Sequence, residues 1–242
     1  SSKDKTFSHI PELDPATFTP DADYFHICMN NTIYGSRFSY IPETGAVPLA
    51  ADLSSCILSE PIDVSKFGLI YAGVQKNIAP AGMAVVIIRE DLLREPAPDL
   101  PIMLDYKLMA DKDSMYNTPN CWCIYVTGLV LEYIRSIGGV EEMARRNKKK
   151  ADALYACLDE SRLFHAAVWP GSRSMMNVTF RTGDDTLDAE FVKGAAERGM
   201  VNLKGHKKVG GMRASIYNNM PYEGVETLIS YLKEFEAAHP AK

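Results

Sequence analysis

The stretch from Phe67 to Ile88, FGLIYAGVQKNIAPAGMAVVII, is the one around which the rest of the chain is organised. Two apolar, β-prone runs enclose a turn-rich loop in which Lys76 is the only charged residue. The pattern predicts two strands, and a tight loop between them makes them antiparallel. A lysine in apolar surroundings loses hydration of its ammonium group, so its pKa falls and a neutral, nucleophilic amine becomes available. The alternative is a surface lysine whose aliphatic stem lies on apolar side chains.

An acid that can work with this lysine ends the preceding predicted strand. The apolar run at 47–51 leads into Asp52, and the carboxyl ends of parallel strands form the ligand-binding edge of a sheet. Pyridoxal phosphate (PLP) needs a lysine for its Schiff base and a carboxylate that keeps its pyridine nitrogen protonated. Asp52 alone would equally suit a helix cap. The pairing of Asp52 with Lys76 is what favours a PLP site.

Composition argues against several other classes of protein. The 242 residues, 46% hydrophobic and 24% charged, are typical of a globular chain with one large or two small domains. A net charge of −5 opposes binding to nucleic acid or to an anionic membrane, and no apolar run is long enough to span a bilayer. Five cysteines without a CxxC pair indicate reduced thiols in a cytoplasm. We interpret all five as small packing residues and find no metal-ligand pattern.

Hydrophobic periodicity predicts an α/β chain in two parts. Besides the two strands around Lys76, strands are expected at 24–29, 47–52, 174–181, 201–203 and 212–217. Helices are expected at 121–137, 140–161, 186–198 and 221–237, and residues 1–23 and 105–115 are predicted to be loops. We therefore predict part of a large, mostly parallel-sheet domain at residues 1–138. A linking helix and a small C-terminal α/β domain follow at residues 139–242.

The predicted linking helix carries a basic run from Arg145 to Lys150. Such a run could indicate a nucleic-acid patch, but a helix distributes six consecutive residues around its whole circumference. We interpret the run as the solvated surface of this helix.

Short motifs around Lys76 carry a resemblance to a known family: DLSS at 52–55, PIDVS at 61–65, YAGVQKN at 71–77 and PAG at 80–82. On these motifs the chain resembles the phosphoserine aminotransferases, class V members of the fold-type I PLP-dependent transferases. The resemblance implies conversion of O-phospho-L-serine and 2-oxoglutarate to 3-phosphohydroxypyruvate and L-glutamate in serine biosynthesis, by a homodimer with shared active sites. It also implies that Lys76 binds PLP and moves the substrate α-proton, while Asp52 pairs with the pyridinium.

Further cofactor contacts follow from the same resemblance. It implies that the Thr32 hydroxyl contacts the cofactor and that the Gln75 amide helps to hold its phosphate. Asn117 and Thr118 would contact the cofactor phosphate of the neighbouring subunit, where a helix N-terminus offers free amides to an anion. From the residues alone, Thr32 is a turn residue bonded to its own backbone. Likewise, Thr118 is an N-cap ahead of Pro119 at the first helical position.

A second informative stretch is GHKKVGGMRAS at 205–215. Its glycines allow close backbone approach, and its cations indicate an anion site on an otherwise acidic protein. The alternative is an exposed basic hairpin. By the resemblance, Arg213 binds the substrate α-carboxylate, and His206 and Lys207 face the substrate phosphate. Many family members have arginine in place of Lys207, so a point charge here replaces a bidentate fork.

Other functions remain open at this stage. One is a different class V enzyme, an alanine-glyoxylate aminotransferase or a cysteine desulfurase, although no cysteine lies in an obvious loop near a cation. Another is a catalytically incomplete fragment with a structural or interaction role.

We also expect the chain to lack the N-terminal part of the family. Few strands precede Asp52, and no glycine, tryptophan or arginine precedes Tyr24.

Overall fold

The computed structural model describes residues 2–239; Ser1 and residues 240–242, the outermost parts of the two predicted domains, lie outside the described residues. Two sheets organise this part of the chain. The first has the strand order β1 (Phe25–Cys28), β2 (Leu49–Asp52), β3 (Leu69–Gly73), β4 (Ala84–Ile88). The second consists of β5 (His165–Ala166), β6 (Asn177–Arg181) and β7 (Met212–Ser215). The predicted α/β class is confirmed.

The first sheet has the predicted directions. Strands β1, β2 and β3 are parallel, and β4 returns antiparallel to β3 after the lysine loop. The central strand β2 is buried along Leu49, Ala50 and Ala51, which explains its continuous apolar run. Its register pairs Asp52 with Cys28 on one side and Tyr71 on the other. Asp52 therefore lies at the carboxyl edge of three parallel strands, as the sequence predicted.

Five α-helices occur within residues 2–239: α1 (Tyr106–Asp111), α2 (Cys121–Ser136), α3 (Gly139–Glu160), α4 (Asp185–Glu197) and α5 (Tyr222–Ala238). The prediction of a loop at 105–115 is wrong, because Asp105 caps α1 by accepting from the Leu108 amide. Thr118 was also wrongly predicted as the cap of α2. Asn120 has that role and accepts from the Cys123 amide; asparagine caps a helix as well as threonine does.

Helices α2 and α3 are separated at Gly138, whose φ of 112° suits glycine. No single helix in the described part of the chain is long and apolar enough to cross a membrane, and α2 and α3 pass that test only as a pair bent by 83°.

The interpretation of the basic run on α3 as solvated needs correction, because Asn147 and Lys150 are buried. The helical period places them with Met143 and Leu154 on the face that packs against the protein.

The second sheet packs on a core rich in aromatic rings, in which Phe164 and Phe191 contact each other and both contact Phe180 and Phe235. The predicted strand at 201–203 is absent; its neighbour Lys204 makes only an isolated bridge to Met212. Strand β5 was not predicted, because two residues are too few for a periodic signal. The domain boundary between residues 138 and 139 stays a prediction.

A buried polar junction joins the two sheets. The Asn30 amide, just beyond β1, donates to Ser55 Oγ at 2.8 Å and to Asn177 Oδ1 at 2.9 Å on β6. Its own oxygen accepts from the Ser174 hydroxyl. A buried amide with all of these partners specifies one arrangement of the surrounding elements. The carboxyl edge of the first sheet is thereby fixed against the second sheet.

The cysteine prediction is wrong at two positions. All five thiols are free, but Cys28 and Cys121 are exposed. Cys28 lies on an uncovered sheet face and Cys121 in the first turn of α2, so neither packs in a core.

Candidate active site

Lys76 lies in the loop after β3, and its Nζ donates a hydrogen bond to Thr32 Oγ1 at 2.9 Å. The side chain is half-buried, and this burial lowers the pKa of the Lys76 amine. Negative charge from nearby Asp52 partly opposes the effect, whereas Arg213 adds to it. Lys76 therefore has the environment expected of a nucleophilic amine.

Asp52 ends β2 beside this lysine. Its Oδ1 accepts from the backbone amide of Ser54 at 2.7 Å, which orients the carboxylate at the sheet edge. Ser54 in turn accepts from the Gly73 amide at 3.0 Å, tying the end of β2 to the end of β3. The strands that carry Asp52 and precede Lys76 are therefore held together where a ligand would bind.

Arg213 reaches this place from β7, in the second sheet. Its Nη1 donates to the Thr32 carbonyl at 3.2 Å. Its Nε is buried and has no hydrogen-bond partner among the described residues. Because buried donors are almost always paired, an unpaired guanidinium N–H indicates a missing acceptor such as a ligand carboxylate. Thr32 contacts both cations, Lys76 through its hydroxyl and Arg213 through its carbonyl.

The loop before β7 presents the other predicted substrate residues. His206 accepts from the amides of Val209 and Gly210 through its carbonyl, which closes a tight turn. A Cβ at Gly205 would lie 2.0 Å from the Gly210 carbonyl oxygen, so the loop requires glycine there. Lys207 is exposed at this turn. Within residues 2–239, neither His206 nor Lys207 hydrogen-bonds to Lys76 or Arg213, and their role stays a prediction.

The structure does not bring every predicted cofactor residue to Lys76. Gln75 is adjacent in sequence and exposed, and its amide folds back over Gly73. Asn117 and Thr118 are exposed ahead of α2, and Asn117 Nδ2 donates to the Thr118 carbonyl at 3.2 Å. In the part of the chain that the structure describes, neither hydrogen-bonds to the Lys76 group. Their predicted role in a neighbouring subunit stays a prediction.

Sequence reasoning missed two residues at this edge. Ser54 was quoted only as part of a motif, although its hydroxyl links β2 to β3. Cys28 pairs with Asp52 in the strand register, and desolvation of its sulfur by neighbouring groups, followed by the charge of Asp52, raises the pKa of its thiol. The predicted parallel strands could have indicated that Cys28 lies beside Asp52, because residues at the carboxyl ends of neighbouring parallel strands are adjacent.

These residues fit PLP. The group requires an amine for its Schiff base and a carboxylate for its pyridine nitrogen, and its amino-acid substrate requires a donor for its own carboxylate. Lys76 supplies the amine with lowered pKa, Asp52 the carboxylate, and the unpaired Nε of Arg213 a buried donor.

We predict that Lys76 reacts with acylating reagents at a lower pH than an ordinary lysine. Burial lowers its pKa below the usual 10.5, so the neutral amine persists further down the pH scale. The unfolded chain then binds this proton more tightly, so the contribution of Lys76 to stability falls as pH drops from 10.5 through the folded-state pKa. Competitive labelling read by peptide mass spectrometry measures the midpoint. A midpoint at or above 10.5 would contradict the prediction.

The family relationship agrees with this geometry. The family model described as aminotransferase class V matches residues 3–228, and the chain belongs to that family. It is 52% identical over 239 residues to phosphoserine aminotransferases of Pseudomonas aeruginosa (strain LESB58) and Azotobacter vinelandii. Each match covers 99% of this chain and 66% of the relative, so the chain spans about two thirds of these relatives' length.

Solved structures agree in fold. Phosphoserine aminotransferase from Bacillus circulans subsp. alkalophilus superposes with a TM-score of 0.95 at 42% identity, over 99% of this chain and 66% of that one. The PLP-bound enzyme from Trichomonas vaginalis gives 0.86 at 40% identity, over 90% and 62%. An alanine-glyoxylate aminotransferase from Nostoc sp., at 17% identity and a TM-score of 0.74, shares the fold alone. The predicted fold-type I arrangement is confirmed.

Proposed function

We propose that this chain carries the catalytic lysine of a PLP-dependent aminotransferase acting on O-phospho-L-serine and 2-oxoglutarate. The supporting observation is the convergence on Thr32 of two side chains, the half-buried Lys76 amine and the incompletely paired Arg213 guanidinium. One group can bind an aldehyde and move a proton, and the other can hold a carboxylate.

Each residue has a distinct task in this proposal. Lys76 would hold the cofactor, and its Nζ would carry the α-proton of the amino acid. Asp52 keeps the pyridine nitrogen protonated, with its own position set by the Ser54 amide. Thr32 and Gln75 add polar contacts to the cofactor. PLP supplies the electron sink that transamination requires.

Substrate selection rests on the cations near β7. Arg213 holds the α-carboxylate by a planar fork that suits this shape. His206 and Lys207 supply donors for the phosphate from a turn built on Gly205. Serine biosynthesis is the corresponding role, with 3-phosphohydroxypyruvate and L-glutamate as products.

Two related activities are less well supported. An alanine-glyoxylate aminotransferase has no need of a basic turn beside its carboxylate-binding arginine. A cysteine desulfurase needs a reactive thiolate, and the Cys28 thiol lies within electrostatic range of Lys76. Burial and Asp52 raise the pKa of the Cys28 thiol, which opposes thiolate formation.

Borohydride trapping tests the proposal directly. Protein incubated with PLP and then reduced should carry the cofactor at Lys76, as shown by peptide mass spectrometry. Glutamate formation from O-phospho-L-serine and 2-oxoglutarate should exceed formation from L-alanine and 2-oxoglutarate. An unlabelled Lys76 would remove the enzyme hypothesis and leave a structural or interaction role, whereas equal rates with both amino acids would remove only the phosphoserine assignment.

The proposed assembly is a cytoplasmic homodimer with shared active sites. Helix α2 presents large apolar side chains to solvent, among them Trp122, Tyr125 and Leu129. Such a contiguous exposed surface is typical of a protein interface, and it begins next to Asn117 and Thr118, the residues proposed to serve the neighbouring subunit. Free thiols agree with a reducing compartment.

We predict that Trp122→Glu weakens self-association by about 2 kcal/mol or more, because a charge replaces a large aromatic ring at the interface. Trp122 is 63% exposed in the single chain, so its loss costs little folding stability. Sedimentation equilibrium measures the association. Val201→Glu is the matched control, since Val201 is 67% exposed and lies on a loop away from α2. An unchanged dimer constant for Trp122→Glu would exclude α2 from the interface.

A further inference from the structure

Lys150 is a buried cation without an acidic partner. It lies on α3, is 2% exposed, and donates to the carbonyls of Ile216 at 3.1 Å, Tyr217 at 2.8 Å and Asn218 at 3.2 Å. Among residues 2–239, no carboxylate forms an ion pair with it. A buried ammonium without hydrogen bonds costs several kilocalories per mole, and here all of its N–H groups have acceptors.

Packing alone does not require this residue. A methionine of similar length would fill the same space, but it would leave the three carbonyls without this donor. Burial lowers the pKa of Lys150 to about 8, so the ammonium form still predominates at neutral pH. The three converging carbonyls therefore share a buried ammonium as their donor.

Residues 216–218, whose carbonyls accept from Lys150, lie between the strand that carries Arg213 and the loop that carries Lys76. They directly follow β7, which carries Arg213. The backbone N–H of Asn218 donates to Asn77 Oδ1 at 3.1 Å, and Asn77 follows Lys76 in the chain. Asn147, one turn before Lys150 on α3, donates to Asn218 Oδ1 at 2.9 Å. The segment is therefore held between α3 and the lysine loop.

We propose that Lys150 is a positioning residue: as a cation tethered to α3, it gathers the carbonyls of residues 216–218 and so fixes Arg213 relative to Lys76. The effect on substrate binding rests on the proposed function. The effect on the backbone of residues 212–218 does not.

Lys150→Met tests the charge at nearly constant volume, and Lys148→Met is the control because Lys148 is exposed on the same helix. Hydrogen exchange followed by mass spectrometry should show faster exchange of residues 212–218 in the Lys150 variant only. In PLP-loaded protein, titration with O-phospho-L-serine should give a dissociation constant raised about tenfold or more. Borohydride trapping at Lys76 should stay intact. Unchanged exchange, or equal changes in the control, would overturn the proposal.

Chemical rescue separates positioning from general destabilisation. Lys150→Ala leaves space beside the three carbonyls, and methylammonium chloride should restore protection of residues 212–218 in the folded variant. Choline chloride at the same ionic strength is too large to enter and should not. Restoration by both salts or by neither would contradict a role for the tethered cation. Should wild-type protein give no response to O-phospho-L-serine, the proposed function fails, while the exchange measurements still decide the role of Lys150.

Discussion

Replacing Lys76 with alanine is expected to abolish transamination while the protein stays folded. Among the described residues, the amine hydrogen-bonds to Thr32 alone, and it lies in a loop outside the core. Its removal deprives the site of both the cofactor attachment and the proton carrier, and general acid–base catalysis alone contributes up to about 10⁴-fold. Glutamate formation should therefore fall by at least about that factor. The thermal midpoint should shift little, since the lost hydrogen bond to Thr32 is worth about 1 kcal/mol and is offset in part by relief of the desolvated ammonium.

A second lysine makes the comparison specific. Lys66 is exposed and pairs with Glu43 at 3.0 Å, so Lys66→Ala removes a charge without touching the proposed site. Activity of Lys66→Ala should equal that of the unaltered protein. Turnover by Lys76→Ala within tenfold of the Lys66→Ala rate would show that some other group carries the reaction.

The sheet edge was predictable from sequence because its signals are local. One signal is an apolar run that ends in Asp52, and the other is a lysine between two β-prone runs. Each depends on only a few neighbouring residues. Parallel pairing then brings the ends of adjacent strands together without further information. The register of β1, β2 and β3 agrees with this reasoning.

The meeting of Lys76 and Arg213 at Thr32 could not be derived from patterns alone. These residues are far apart in the chain, and only the packing of the second sheet on the first brings them into contact. The buried Asn30 and Asn177 amides that fix this packing have ordinary sequence surroundings. The burial of Lys150 could not be predicted for another reason, because a basic run on a helix does not show which of its residues faces the core. The period through Met143 and Leu154 supplies that answer once the core is known.

Arg213→Lys is expected to weaken binding of O-phospho-L-serine by about 1.5 to 3 kcal/mol, the range for hydrogen bonds to charged groups. The guanidinium donates to the Thr32 carbonyl, and its buried Nε has no partner in the part of the chain that the structure describes. A lysine ammonium is a single point in place of a planar fork, so it cannot occupy the positions of both Nη1 and Nε, and either the contact with Thr32 or the one with the substrate carboxylate is lost. The same loss should apply to L-glutamate, which also carries an α-carboxylate.

Lys207→Arg is the informative companion to this change. Lys207 is exposed on its turn, where solvent screens a single charge, and an arginine adds a second donor towards a phosphate. Its effect should be smaller than that of Arg213→Lys, and it should favour O-phospho-L-serine over L-glutamate. Titrations of both variants with both amino acids, followed by the cofactor absorbance, measure the four affinities. Equal losses of O-phospho-L-serine affinity in the two variants would contradict the assignment of Arg213 to the carboxylate. An unchanged preference between the ligands in Lys207→Arg would remove Lys207 from the phosphate site.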